Sequence, residues 1–151
     1  MKLNIGGGDW AQTGYTNVDI NPKYADICLD LEKGLYPQFE ENSIDALFSR
    51  HCLEHITNLI PLMQDCYKIL KPGGLFEIIV PSGHSPVWSG RDPGHVRYIY
   101  DQTFLYFTKT DLVPSYCDFE LVKLERIERR VKAIENKEFI GEDIHAILRK
   151  P

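Results

Sequence analysis

No stretch of this sequence approaches the roughly 18 consecutive apolar residues that cross a bilayer, so no membrane partner is expected. The opening, Met1-Lys2-Leu3-Asn4-Ile5, runs straight into glycines; no secretory leader is expected, and the expected location is cytoplasmic. Cysteine is sparse and shows no Cys-x-x-Cys pair. Cys28, Cys52, Cys66 and Cys117 are scattered, as free thiols in a reducing compartment are, and do not outline a disulfide framework. An excess of positive charge is missing as well: with a net charge of −5, no nucleic-acid partner is expected. The one basic cluster, Arg126, Arg129, Arg130 and Lys132, is interrupted by Glu125, Glu128 and Glu135 and reads as a solvated strand end. What remains is ordinary for a soluble globular chain: 151 residues, 43% apolar and 26% charged, which is one domain spanning 1–151 with one core.

The chain is organised around its first residues. A short apolar run, Lys2 to Ile5, leads into Gly6-Gly7-Gly8, and glycines at the end of a strand let backbone approach a ligand closely or take positive φ. A second run, Tyr15 to Ile20, contains Asp19, only 11 positions after Gly8. A dinucleotide fingerprint needs a third glycine, a full crossover helix and an acidic residue about 20 positions on. Trp10 stands where the late glycine belongs and there is no room for the helix, so a nicotinamide-type oxidoreductase is disfavoured.

These residues resemble the class I S-adenosylmethionine-dependent methyltransferases, in particular a compact, type 11-like branch whose first crossover helix is cut down to a loop. The resemblance implies an α/β fold: a doubly wound, Rossmann-like, mostly parallel sheet of about seven strands whose last pair is antiparallel. It implies S-adenosylmethionine as cofactor, with Gly6 and Gly8 turning beneath its methionine part and Asp19 taking both ribose hydroxyls.

Later segments fit the same series. Asn21-Pro22 is a turn, and a third run, Ala25 to Leu29, ends at Asp30. By the resemblance Asp30 lies near the adenine, with Leu31 as a wall; as a plain residue Asp30 is equally a helix N-cap. Ser43 to Ser49 is the fourth strand, and Ser49, Arg50 and His51 fall at its carboxyl end, where the family contacts the methionine end of the cofactor. His51, Cys52 and His55 raise a metal reading through histidines at i and i+4, but Cys52 points away from that face and no further ligands are spaced to complete the site, so none is expected. His55 alone reads as a structural histidine.

Apolar residues at 59, 62, 63, 66, 69 and 70 have helical period. Leu70-Lys71-Pro72-Gly73-Gly74 ends that helix and opens a buried strand, Leu75 to Pro81, as in many members of the family. The long loop from Ser82 to Tyr100 is rich in aromatics, which argues for function over disorder. Its Asp92-Pro-Gly-His95-Val-Arg97-Tyr98 resembles a segment placed over the acceptor; a loop pinned by an Asp92–Arg97 or His95–carboxylate contact is the plainer alternative. Asp101 is expected to cap a helix running through Phe107 to Leu112. Asp118 stands where the family commonly has glycine, a change a left-handed Asp tolerates. Phe119 to Arg129 and Ile144 to Arg149 are expected to be the closing strands; Val131 to Asp143 is too polar to place.

The resemblance implies methyl transfer to an oxygen or nitrogen of a small-molecule or glycan-like acceptor, with alignment and proton removal as the protein's main tasks. His95 is the first candidate base because imidazole titrates near neutral pH, with His51 and Asp92 as alternatives. His95, Arg97, Tyr98 and Trp88 are the candidate acceptor contacts. The competing reading is a non-catalytic module that binds cofactor or a partner. A segment folding over the cofactor is not seen before the first strand, so the cover is expected from Trp88 and Tyr98 closing down, or from a homodimer or partner protein.

Overall fold

The computed structural model describes residues 1–132 and 138–151. Strands β1 (Lys2–Ile5), β2 (Thr16–Asp19), β3 (Ile27–Cys28), β4 (Ile44–Arg50), β5 (Leu70–Pro81), β6 (Glu120–Lys132) and β7 (Glu138–Arg149) form one sheet in the order β3-β2-β1-β4-β5-β7-β6. The first five run parallel, and β7 pairs antiparallel with both β5 and β6. The chain leaves β1 toward β2 on one side and returns to β4 on the other, so the strand order reverses beside β1. Ligands of open α/β sheets bind outside the carboxyl ends of the strands at such a point.

The expected seven-stranded architecture is present, and the helical shortening goes further than the first crossover: neither the β1–β2 nor the β2–β3 connection contains a helix. Helix α1 (Leu59–Ile69) buries Leu59, Leu62, Met63, Cys66 and Ile69, as its apolar spacing requires. These side chains join Leu3, Ile5, Val18, Leu47, Phe76, Ile78, Val80, Ile144, Ala146 and Leu148 in a single core. Alternate strand residues therefore face one covered side. The other side carries a cross-strand row of Asn4, Phe48, Glu77, Ile147 and Lys123. Tyr15 packs edge-on against Phe48 there at 6.2 Å, and His145 pairs with Glu77 and Glu125 at 2.9 and 3.3 Å.

Four local readings change. Residues Asp101–Phe107 form a 3₁₀ turn that does not continue to Leu112, which is 79% exposed. Asp101 is its first residue and not its cap: Thr103 Oγ1 accepts from the Tyr100 N–H, while the Asp101 carboxylate pairs with Arg126 at 3.3 Å. The basic cluster is accordingly not simply solvated, since Arg129 also pairs, with Asp143. Asp118 has no left-handed backbone; among the described residues only Asn42 and His51 take positive φ without being glycine. The unplaced segment from Val131 to Asp143 contains the end of β6 and the start of β7, while Glu135 and its neighbours from 133 to 137 lie outside the described residues.

Candidate active site

The glycine turn is fixed by what crowds it. Gly6, at φ +64°, donates its N–H to the Val18 carbonyl at 2.7 Å, and a Cβ there would collide with the Cys52 side chain. A Cβ on Gly7 would collide with the side-chain amides of Asn4 and Asn17. The turn then presents the Gly8 N–H to Asp19 Oδ2 at 2.8 Å, and the Asn21 N–H donates to Asp19 Oδ1 at 2.8 Å. Each carboxylate oxygen thus spends one acceptor site on backbone and retains another. Asp19 lines a cavity of about 320 Å³, together with Gly6, Ile20, Asp30, Leu31, Glu32, His51, Cys52, His55 and Ile56.

Asp30 is both a cap and a cavity residue. Its Oδ1 accepts from the Glu32 N–H at 3.1 Å, capping the Leu31–Lys33 turn, and the residue also lines the cavity beside Leu31. Ser49 and Arg50 are not brought to the cavity. Strand alternation turns Ser49 into the sheet, fully buried with its hydroxyl donating to the Ile5 carbonyl at 3.3 Å, and turns Arg50 out over the Trp10 ring at 4.1 Å. Cys52 packs under Gly6, where burial first and the Glu54 charge second push its thiol up to about 12.

His51 lies at the end of β4 with φ +52°, a conformation non-glycine residues adopt at a cost and that clusters at functional sites. It lines the larger cavity and also a smaller one of about 170 Å³ formed with Pro81, Trp88, Arg91, Asp92 and His95. Its Nε2 is 3.1 Å from Asp143 Oδ2, and its Nδ1 is 3.9 Å from Glu54 Oε1. Asp143 is fully buried and also accepts from Trp88 Nε1 at 2.7 Å and pairs with Arg129. Burial alone would raise the Asp143 pKa; the His51 hydrogen bond and charge, with Trp88 and Arg129, outweigh it and hold the group below the usual carboxylate range. Glu54, 1% exposed, is the opposite case: desolvation, helped by the charges of Asp143 and Asp92, pushes it up to about 8.

The loop after β5 is tied down by its own side chains. His95 directs Nδ1 to the Ser89 carbonyl and places Nε2 3.9 Å from both Glu54 and Asp92. Arg97 does not pair with Asp92; its Nη2 donates to the Ile56 and Thr57 carbonyls, each at 2.7 Å. Asp92 instead accepts from the Gly94 N–H at 2.8 Å, and this bond first, with the nearby His95 and His55 after it, lowers its pKa against the opposing effect of burial. Trp88 and Tyr98 do not close over the larger cavity, none of whose lining residues comes from this loop. Trp88 is held on β7 by Asp143 and lies where a Cβ on Gly141 would strike its ring, and Tyr98, 53% exposed, lines a separate hollow with Ser89, Asp92, His95 and Arg97.

Sequence reasoning missed Glu54 and Asp143. Glu54 stood between two histidines that drew the attention, and its burial has no local signal. Asp143 lay in the segment too polar to place and meets His51 across 92 positions.

Comparison with known proteins agrees with this geometry. Residues 9–78 match a family model described as a methyltransferase domain. A stretch of 37 residues is 54% identical to phosphoethanolamine N-methyltransferase 2 of Caenorhabditis elegans, covering 24% of this chain and only 8% of that protein. Among solved structures, a protein of Bacillus halodurans C-125 provisionally assigned as a methyltransferase superposes with a TM-score of 0.74 at 14% identity, over 99% of this chain and 92% of that one. A SAM-dependent methyltransferase of Archaeoglobus fulgidus gives 0.67 at 18% identity, over 99% and 85%. The strand order and the antiparallel closing pair give the chain the Rossmann-like fold of the class I S-adenosylmethionine-dependent methyltransferases.

Proposed function

We propose that the chain binds S-adenosylmethionine in the larger cavity and transfers its methyl group to an oxygen or nitrogen of a small-molecule or glycan-like acceptor held in the smaller one. The observation that carries this reading is His51, which lines both cavities and is the residue they share among the described residues. The larger cavity fits the cofactor: Asp19 keeps one free acceptor site on each oxygen for a diol, Gly6 lets the chain pass close, and Leu31, Ile20 and Ile56 supply apolar walls. The cofactor, when bound, supplies a methyl group on a positively charged sulfur, with a neutral thioether as leaving group. His51 takes the acceptor's proton, and Asp143 fixes the orientation and tautomer of its ring, as a carboxylate does for a base in a hydrolytic triad. This moves the first candidate base from His95 to His51, because His95 does not border the larger cavity.

Calorimetric titration tests the cofactor directly. S-adenosylhomocysteine should bind one per chain and NADH should not; tighter binding of NADH would overturn the reading.

Because loop 82–98 leaves the larger cavity uncovered, we infer that a second copy or a partner protein covers it. Pairing through the β6 edge is disfavoured by its alternating Glu and Lys or Arg side chains, a common guard against edge-to-edge association. Sedimentation velocity should show a dimer strengthened by S-adenosylhomocysteine if the cover is a second copy; a monomer that encloses the ligand with nanomolar affinity would show that no cover is needed.

A further inference from the structure

Beside the His51–Asp143 pair lies a group of donors that the reaction above does not use. Glu54, His55 and His95 each bring one ligand atom within 4.8 Å of the others. The two imidazoles are prepared in the same way: Nδ1 of His55 is 3.0 Å from the Gly94 carbonyl, and Nδ1 of His95 is 2.5 Å from the Ser89 carbonyl. A carbonyl only accepts, so each ring carries its proton on Nδ1 and keeps the lone pair on Nε2. Backbone carbonyls holding the far nitrogen in this manner fix the tautomer of metal-ligating histidines.

Glu54 is the independent sign. It is 1% exposed, and neither of its carboxylate oxygens has a hydrogen-bond partner among the described residues. Such a group is costly to bury and calls for an occupant of the space it faces. That space is bounded by His95, whose Nε2 lies 3.9 Å from Glu54 Oε1 and 3.9 Å from Asp92 Oδ2 on the solvent side.

We propose that Glu54, His55 and His95, with Asp92 at the open side, form a binding site for one divalent first-row transition-metal ion of the zinc type. Two imidazoles with carboxylate oxygen suit zinc and its neighbours; calcium and magnesium prefer all-oxygen shells. Ligands at bond lengths of about 2.0–2.1 Å stand roughly 3.3 Å apart around a tetrahedral ion, a contraction that side-chain rotation supplies. The ion ties the turn Leu53–His55 to the loop that carries His95, and it borders the smaller cavity through Asp92 and His95. The site stands independently of whether the chain transfers methyl groups.

The test uses untagged protein stripped with chelator and titrated calorimetrically with zinc chloride, with Co²⁺ absorption as a second readout. One Zn²⁺ per chain should bind with Kd of about 1 µM or tighter, and Co²⁺ should give visible bands of a low-coordinate nitrogen and oxygen site. Glu54→Gln, nearly isosteric, and His55→Ala, at a partly exposed position, should each weaken zinc by about tenfold or more. His84→Ala, a histidine outside the group, should leave it unchanged. Circular dichroism identifies any variant that fails to fold, and the other then carries the comparison. Binding weaker than about 100 µM in the parent protein, or equal affinity in the parent, Glu54→Gln and His55→Ala, overturns the site.

Discussion

Replacing His51 by alanine is expected to lower kcat about 10²–10⁴-fold on any acceptor the protein turns over, the range general-base catalysis ordinarily supplies. The affinity for S-adenosylhomocysteine should change only a few-fold, because His51 is one wall among the many residues lining the larger cavity. The backbone makes a second variant informative. At φ +52°, alanine retains the strain that histidine bears, whereas glycine relieves it. His51→Gly should therefore unfold at higher denaturant than His51→Ala, by about 1 kcal/mol, with equally poor turnover. Asp143→Asn should lower kcat as well, since an amide no longer accepts from the imidazole with a full charge and leaves Arg129 without its partner. If His51→Ala keeps a substantial share of its turnover, proton removal belongs elsewhere, with His95 the next residue to examine.

Asp19→Ala is the second large effect. Loss of a charge-assisted acceptor costs about 1.5–3 kcal/mol, which is roughly 10- to 150-fold in S-adenosylhomocysteine affinity by calorimetry. The same change leaves the Gly8 and Asn21 N–H groups without their acceptor, so the midpoint of thermal unfolding should also fall. Asp19→Asn separates the two: its remaining carbonyl oxygen serves one of the two N–H groups, so stability should recover in part while ligand affinity stays low. An alanine variant with parental affinity would remove Asp19 from the binding role.

How far these residues were readable in advance depends on the range of the forces involved. Gly6 and Asp19 were legible because a turn without Cβ and a strand ending in a carboxylate are local patterns, and α1 was legible because one buried face imposes its period on the sequence. Ser49 and Arg50 looked like cavity residues from their position at the end of β4. Strand alternation sends one into the core and the other outward, and only the left-handed turn at His51 brings a side chain back over the strand ends. Asp101 gave the local signal of a cap, yet Arg126, distant in sequence, claims its carboxylate. Asp143 was out of reach altogether, for its meaning comes from three partners contributed by three other parts of the chain.

The place of β7 between β5 and β6 has a consequence for how the chain is made. As a ribosome extrudes it, the parallel strands and then β6 emerge before the strand that must lie between them, so β5 waits with an unpaired edge and β6 without a neighbour. The sheet can close only by inserting its latest strand into a gap, a long-range step of the kind that is slow and leaves edges open to wrong pairing. Nascent chains stalled before residue 138 should therefore be protease-sensitive throughout β5 and β6, and tolerance of fusion or truncation should fall off sharply once the change reaches β7.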